Sequence, residues 1–394
     1  MQGVAASKPG FRVLSLLDDV TALGGVEAFQ YDLAAALPKL GVEFRALNIR
    51  PKSSEGRQLP NGSLDYPASR LFRGPLARMR WRRFIRRFSP CFFLAHQPSS
   101  LGFLTAMLAD KRWPVLSVVH NNSVRDLYWQ NQIRRQKNIL GYVAVSAAIR
   151  SRLVEEFGIE SERVWTIPCG VSTAASYPED RALPPEAGRH IVLLYAGRLA
   201  TYAKQVLDLV GVAQALNNAG LPEDWAVSLH VVGDGPEAEE LYRELNRNAG
   251  RVRLHLHGRI PREELFRIYE QAHFFILLST FEGMPLALRE AMSRGAVPVV
   301  TDIAAHREII TPGVNGFLFP VGDVAECARL CSSVAQGGSF EQVSRNAARS
   351  VRDHSVEATA AKYARLFEQL SHSAFFAGAA APTEKLRASR MPAG

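Results

Sequence analysis

One stretch, residues 274–295 with the sequence FFILLSTFEGMPLALREAMSRG, constrains the fold of this chain more than any other. Residues 274–278 form an apolar run of strand length, and a short polar turn follows them. Pro285 stands where a helix would begin, because the missing N–H of proline falls among the unpaired donors of a first helical turn. Gly295 is a residue type that ends helices. The stretch therefore predicts a buried strand, a tight loop and a helix.

The start of this helix is suited to an anion. The free backbone N–H groups of Met284, Leu286 and Ala287 would point out of the helix, with the helix dipole behind them. Glu282 lies just before the helix and Glu290 two turns inside it, about 12 Å further along the axis. That layout suits a ligand with hydroxyl groups at both ends and a charged middle, such as a nucleotide sugar. A solvated helix face is the alternative reading of such a glutamate pair.

The composition fits a globular protein of more than one domain. The chain has 394 residues, 47% of them hydrophobic, a size at which chains divide into two or more domains. Strand-like and helix-like segments alternate in both halves, which predicts two doubly wound α/β domains. No apolar stretch reaches the roughly 18 to 20 residues of a membrane span, and the N-terminus lacks an apolar signal-peptide core. The four cysteines follow no zinc spacing and indicate no disulfide framework. We therefore expect a cytoplasmic protein.

In the first half, two candidate ligand positions follow predicted strands. Residues 11–17 are an apolar run, and Gly24 and Gly25 separate them from a helical pattern over residues 26–37. Glycines at such a turn let a backbone approach a phosphate, although an ordinary strand–helix turn looks the same. Residues 114–119 are another apolar run, and His120 follows at the strand end, where ligand groups lie in open α/β sheets. A hydrogen-bonded structural histidine is the equal alternative for His120.

The positive charge is concentrated in the first half. Residues 1–175 hold 24 Lys and Arg against 13 Asp and Glu, whereas the remainder is close to neutral. Residues 70–88, RLFRGPLARMRWRRFIRRF, contain eight arginines and no acid, with aromatic residues at helical spacing. This basic amphipathic pattern favours contact with anionic lipid or an anionic glycan through Arg78, Arg82, Arg83 and Arg86. Packing of the aromatic stripe on the core is the open alternative, and nothing else in the chain supports nucleic acid.

The second half begins after a linker rich in proline and charge, residues 178–188. Residues 191–195 predict a strand that leads to Arg198, and a helix follows with Lys204 near its start. Taken alone, an arginine and a lysine six residues apart on a turn and a helix are often surface residues. Gly233, in the turn GDGP, and Ile260 follow the next two predicted strands.

Several of these motifs together resemble a known family. The pattern E-x7-E within FEGMPLALREAMSRGAVPVV resembles the donor-site signature of family 4 retaining glycosyltransferases, and GRL…K, GDGP and GVNGFLFP match the same family. The resemblance implies the GT-B fold, two Rossmann-like domains facing a central cleft. Residues 1–178 would bind the acceptor and residues 189–355 the nucleotide sugar. Residues 356–370 would form a helix that crosses back to the first domain, and residues 371–394 a tail, partly disordered.

The same resemblance assigns roles to single residues. Arg198, Lys204, Glu282 and His120 would serve catalysis: the two cations hold the diphosphate, Glu282 binds sugar hydroxyls and His120 lies near the reaction centre. Glu290 would bind the ribose. The full set of implied donor-binding positions is Gly25, Arg198, Lys204, Gly233, Ile260, Glu282, Gly283, Met284, Pro285, Leu286 and Glu290. The chain departs from the family pattern at Cys169, Gln205 and Ala304.

The expected activity is transfer of a hexose, with retention, from a nucleoside diphosphate sugar to a glycan or lipid-linked acceptor in polysaccharide or lipopolysaccharide synthesis. No D-x-D triplet occurs, so we expect no metal ion and no other cofactor. The enzyme would be cytoplasmic and peripheral at the inner face of the plasma membrane. Three alternatives stay open: an inactive relative that binds sugar nucleotides, a nicotinamide enzyme, which would lack the usual G-x-G-x-x-G, and a membrane-binding module. The sugar, the base and the acceptor are left open.

Overall fold

A computed structural model of the chain describes residues 10–17, 24–48, 63–65, 79, 83, 85, 88, 91–96, 114–121, 127, 139–173 and 189–372. The chain divides into two compact units. The first consists of residues 1–170 and 356–394, and the second of residues 171–355.

The first unit contains a parallel sheet of seven strands in the order β3-β2-β1-β4-β5-β6-β7. Its strands are β1 Phe11–Leu17, β2 Val42–Asn48, β3 Ser63–Asp65, β4 Phe92–Ala95, β5 Val115–Val119, β6 Ile139–Ala144 and β7 Val164–Thr166. The central strands are mostly apolar because both faces of a parallel sheet are covered, and β5 is buried at every position. The order reverses between β1 and β4, which is where doubly wound sheets bind ligands.

Three α-helices of this unit lie within the described residues: α1 Gly25–Ala36, α2 Ala147–Ser151 and α10 Val356–Ser371. The first unit thus takes its last helix from beyond the second. Phe367 of α10 stacks on Phe92 with ring centroids 5.1 Å apart, and Tyr363 packs on Phe29 at 6.2 Å. All four rings are buried. Burial of these aromatic side chains fixes α10 to the first sheet.

The arginine-rich segment is described at four positions, Met79, Arg83, Ile85 and Phe88, and all four are helical. Ile85 and Phe88 are buried, whereas Met79 and Arg83 are exposed. The guanidinium of Arg45 lies 5.3 Å from the centre of the Phe88 ring. These apolar positions therefore pack in the core, while Arg83 faces solvent. Arg78, Arg82 and Arg86 lie outside the described residues.

The second unit contains a parallel sheet of six strands in the order β10-β9-β8-β11-β12-β13. The strands are β8 His190–Ala196, β9 Ala226–Val232, β10 Arg253–Gly258, β11 Phe274–Leu277, β12 Val297–Thr301 and β13 Phe317–Phe319. The helices are α3 Asp208–Asn217, α4 Ala238–Asn248, α5 Arg262–Gln271, α6 Leu286–Ser293, α7 Ala304–Arg307, α8 Val324–Gln336 and α9 Phe340–Ser350. This strand order is that of a Rossmann-like sheet, with its switch point between β8 and β11.

The predicted α/β class with two doubly wound sheets is confirmed. In the parts of the chain that the structure describes, no helix is long and apolar enough to cross a membrane.

Candidate functional site

The switch point of the second sheet brings Lys204 and Glu282 together. Lys204 lies on the loop after β8 and Glu282 on the loop after β11, and the Lys204 Nζ donates to Glu282 Oε1. The Ser279 hydroxyl donates to the same carboxylate oxygen at 2.7 Å. The Glu282 side chain is 11% exposed and that of Lys204 25%. A cation and a carboxylate, both able to reach a ligand, thus meet at the carboxyl ends of adjacent strands.

The surroundings of Glu282 keep it ionised. Burial alone would raise the pKa of its carboxyl group, but the charge of Lys204, the hydrogen bonds from Lys204 and Ser279, and the nearby His306 together lower the pKa below its ordinary value. Glu282 is therefore a carboxylate at neutral pH, a form that accepts hydrogen bonds from hydroxyl groups.

The loop that carries Lys204 has an unusual backbone. Ala203 and Gln205, on either side of the lysine, have φ values of 70° and 46°, in the left-handed region that residues other than glycine seldom adopt. The N–H of Thr280, on the loop after β11, donates to the carbonyl of Ala203 at 2.8 Å. This backbone hydrogen bond ties the two loops together just before Lys204 and Glu282 in the chain.

Arg198 follows β8 directly, and its side chain is exposed. Its carbonyl accepts a hydrogen bond of 3.0 Å from the buried Tyr195 hydroxyl. Gly233 lies against the same loop, because a Cβ atom at Gly233 would stand 1.8 Å from the Gly197 carbonyl oxygen. The glycine of the GDGP turn is therefore required by close backbone contact with the Arg198 loop. The binding roles of Arg198 and Gly233 stay predictions.

The helix expected after Glu282 begins one residue after Pro285, which is its N-cap. Gly283 and Pro285 are buried, whereas Met284, before the helix, and Leu286, its first residue, are partly exposed. The helix ends at Ser293, and Gly295 follows with a φ of 81°. The expectation that Glu290 lies two turns inside the helix is wrong. Glu290 is its fifth residue, little more than one turn inside, because residues 282–285 are not helical.

Glu290 forms an ion pair with an arginine of the preceding helix. Arg262, at the start of α5, donates through Nη2 to Glu290 Oε1 at 2.6 Å, and the two side chains are 14% and 9% exposed. Phe266 packs between two guanidinium groups, that of Arg262 at 5.1 Å and that of Arg294 at 3.8 Å from the ring centre. Ile260, partly buried, precedes Arg262 by two residues. Arg262 lies close to Ile260 in the sequence, but no local sequence pattern indicates that it pairs with a residue of α6.

In the first unit, His120 follows β5 as expected and meets a second histidine, His96, at the end of β4. His96 Nδ1 and His120 Nε2 are 2.8 Å apart. The other ring nitrogen of His120 lies 3.7 Å from the Cys169 thiol. Burial lowers the pKa of His120 to about 3, so the ring is neutral at pH 7. Gly25 is the first residue of α1 and is exposed. Whether His120 or Gly25 touches a ligand stays a prediction.

No group of three or more His, Cys, Asp or Glu side chains within the described ranges is arranged to hold a metal ion. The expected independence from metal stays a prediction. Of the residues proposed to meet an acceptor or membrane, Arg83 alone falls within the described ranges.

Two Rossmann-like parallel sheets, each with candidate ligand residues at its switch point, define a protein of the GT-B glycosyltransferase class. Comparison with known proteins confirms this. The model of "Glycosyltransferase Family 4" matches residues 23–175, and that of "Glycosyl transferases group 1" matches residues 190–336. Together they match well over half of the chain, and the protein belongs to glycosyltransferase family 4.

The individual relatives share only moderate sequence identity with this chain. A lipopolysaccharide 1,6-galactosyltransferase of Escherichia coli K12 is 31% identical over 203 residues, which cover 50% of this chain and 52% of the relative. The chain therefore spans about half the length of this curated relative. A phosphatidyl-myo-inositol mannosyltransferase of Mycobacterium leprae is 25% identical over 376 residues, 89% of this chain and 94% of the relative. The crystal structure of the Anabaena protein HepE with UDP and glucose superposes with a TM-score of 0.71 at 18% identity, covering 91% of this chain and 100% of that one. It shows the shared fold.

Proposed function

We propose that this protein transfers a hexose from a nucleoside diphosphate sugar to a glycan or lipid-linked acceptor, with retention of anomeric configuration and without a metal ion. The observation that carries the proposal is the Lys204–Glu282 pair at the switch point of the second sheet, in front of the first turn of α6. The relatives named above are galactosyl- and mannosyltransferases, which supports a hexose as the transferred group.

The site residues fit the charge changes of such a reaction. The bond between the anomeric carbon and the phosphate oxygen breaks, and a bond from that carbon to the acceptor oxygen forms. The acceptor hydroxyl gives its proton to the leaving phosphate. Lys204 and Arg198 would stabilise the charge that the diphosphate gains, and each cation at about 4 Å contributes of the order of 4 kcal/mol before desolvation at an effective dielectric constant near 20.

Neutral donors complete the proposed phosphate site. The N–H groups of Leu286 and Ala287, in the first turn of α6, lie among the donors that a helix leaves unpaired, and the N–H of Met284 lies just before the N-cap. Glu282 would accept hydrogen bonds from the hexose hydroxyls once Lys204 turns to the diphosphate. Glu290, held by Arg262 on α5, would bind the ribose next to the segment of Ile260.

The first experiment is a thermal shift assay with a panel of UDP and GDP sugars, because a bound ligand raises the unfolding temperature. Transfer from the stabilising donor is then measured with Lys204→Ala and Glu282→Ala, and the product anomer is read by NMR. Arg329→Ala, which removes an exposed arginine of α8, is the matched control. We expect both site variants to lose transfer by at least about 100-fold. Full activity in both would show that the site is assigned wrongly, and an inverted product would exclude retention.

We further propose that the arginine-rich segment holds the enzyme against anionic lipid at the cytoplasmic face of a membrane. The burial of Ile85 and Phe88 and the exposure of Arg83 support the proposal, because these apolar side chains pack inward while Arg83 faces solvent. Replacement of Arg82 and Arg83 by alanine should reduce pelleting with vesicles containing phosphatidylglycerol. Replacement of Arg243 and Arg247, exposed on α4, is the control of equal charge. An equal loss of pelleting in both double variants would show that vesicle binding depends on the total charge of the protein and not on the arginine-rich segment.

A further inference from the structure

A continuous chain of buried polar groups leads to His120 through the first unit. The Ser15 hydroxyl, on β1, donates to Gln30 Oε1 of α1 at 2.7 Å. Gln30 Nε2 meets His96 Nε2, and His96 Nδ1 meets His120 Nε2 at 2.8 Å. Ser15 and Gln30 are 0% exposed and His96 is 3% exposed. Water therefore does not compete for these bonds, and each partner constrains the next.

With the Gln30 side-chain amide oriented as in the structure, the chemistry of these groups determines the proton positions. Gln30 uses its oxygen for Ser15, so its amide nitrogen faces His96 and can only donate. His96 Nε2 must then carry the lone pair, and in a neutral ring the proton lies on Nδ1. That proton is donated to His120 Nε2. His120 Nε2 is thus an acceptor, and the proton of His120 lies on Nδ1.

The geometry of the rings holds this arrangement. The two imidazoles stack with centroids 5.1 Å apart and planes 30° apart. Phe29 packs edge-on against both, at 6.3 Å from His96 and 5.6 Å from His120. A ring flip of either histidine would break a buried hydrogen bond and displace a buried aromatic ring.

We propose that Ser15, Gln30 and His96 hold His120 as the neutral tautomer protonated on Nδ1, so that His120 acts on a bound substrate as a hydrogen-bond donor and not as a base. His96 is the positioning residue. The action on substrate rests on the proposed function, whereas the tautomer does not.

On the other side of the His120 ring, the Nδ1 proton faces a weak acceptor and can be donated to a ligand instead. Its Nδ1 lies 3.7 Å from the Cys169 thiol, and sulfur is a weak acceptor. An oxygen of the sugar or phosphate would accept this proton more strongly than the thiol does. The cysteine therefore leaves His120 with a partner that a ligand oxygen displaces readily.

The tautomer is tested directly on the whole protein with histidine labelled by ¹⁵N in the ring. Long-range ¹⁵N–¹H correlation distinguishes a protonated from an unprotonated ring nitrogen, and the His120→Asn spectrum assigns the signals. We expect His120 to be protonated on Nδ1 and bare on Nε2. Protonation on Nε2 would overturn the proposal, because the whole chain would then run in the opposite direction. This measurement needs no substrate, so it stands whether or not the proposed transferase activity is found.

The positioning role is tested with two replacements of His96. Leucine removes the hydrogen bond, whereas asparagine keeps an N–H donor near the place of Nδ1. We expect His96→Leu to mix the His120 tautomers and lower kcat about tenfold with donor KM changed less than about twofold. His96→Asn should recover most of the rate. Val118→Ala, which trims a buried residue of β5, is the control for lost stability. An unchanged His120 tautomer in His96→Leu, or a loss of kcat no larger than in Val118→Ala, would reject the role of His96.

Discussion

At the scale of single residues, the backbone around Lys204 carries strain that the sequence makes testable. Gln205 has a φ of 46°, a conformation that favours glycine. A side chain in this region costs roughly 1 kcal/mol. The strained residue lies directly beside the lysine proposed to hold the diphosphate, as is common where a fold positions functional groups.

Replacing Gln205 with glycine should therefore stabilise the protein. The gain from released strain is offset in part by the greater freedom of glycine in the unfolded chain, so we expect about 0.5 kcal/mol in urea unfolding. Gln205→Ala is the matched control, because it removes the same side chain but keeps a Cβ atom. An equal gain in Gln205→Ala would mean that the side chain, and not the backbone, carries the strain.

A comparison of Gly233 with Gly220 separates the effect of backbone conformation on stability from the effect of steric contact. Both have positive φ values, 142° and 69°. A Cβ atom at Gly233 would stand 1.8 Å from the Gly197 carbonyl oxygen, whereas one at Gly220 meets nothing within 4 Å. We expect Gly220→Ala to cost about 1 kcal/mol of unfolding free energy and Gly233→Ala at least about 3. Gly233→Ala should also abolish the thermal shift by sugar nucleotides, because the Arg198 loop must move. Equal effects in the two variants would contradict this account.

At the scale of elements, local patterns predicted the switch-point unit of the second sheet well. The apolar run of β11, Pro285 and Gly295 are local signals, and the structure has the strand and helix that they indicate. The depth of Glu290 in the helix was misjudged, since Pro285 sets the start of α6 after Glu282. The strand Phe92–Ala95 was missed because four apolar residues show no period. Arg262, the partner of Glu290, and His96, the partner of His120, lie on other elements of the fold. These contacts are tertiary, and no local sequence pattern indicates them.

Arg262 and Glu290, the ion pair between α5 and α6, should show a large coupling free energy in a double-mutant cycle. Breaking a buried pair by removing one partner leaves a desolvated charge. We expect Arg262→Met to lower the unfolding free energy by about 2 to 3 kcal/mol, with a coupling to Glu290→Gln of at least about 1 kcal/mol in a double-mutant cycle. The exposed pair Arg329–Glu326, on one helix, should couple by less than about 0.5 kcal/mol. A coupling as small as that of the exposed pair would show that Arg262 does not hold Glu290.

At the scale of the whole molecule, the two units are stabilised by separate cores, and the first depends on a helix encoded after the second. Ending the chain at Ser355 removes α10, and with it the contacts of Tyr363 and Phe367 to Phe29 and Phe92. We expect hydrogen exchange to accelerate throughout β1, β4 and α1, while the strands of the second unit keep their protection. A chain ended at His372, which keeps α10, is the control. Unchanged exchange in β1 and β4 when the chain ends at Ser355 would show that α10 is dispensable for the first core.

Neutral histidines that are wholly or partly buried, in both units, should make the protein sensitive to acid. Burial lowers the pKa of His120 to about 3 and that of His230, with help from neighbouring histidines, to about 4, and it also lowers the pKa values of His96 and His306. In the unfolded chain these groups titrate near 6.5, so between that pH and the folded pKa the unfolded state binds more protons. Stability is therefore complete above about pH 6.5 and falls as the pH decreases, by about 2 kcal/mol at pH 5 for His120 alone. Urea unfolding from pH 8 to 5 measures the fall, and His120→Asn should make the curve of the first unit shallower. An equally steep curve in His120→Asn would mean that His120 is not held neutral by burial.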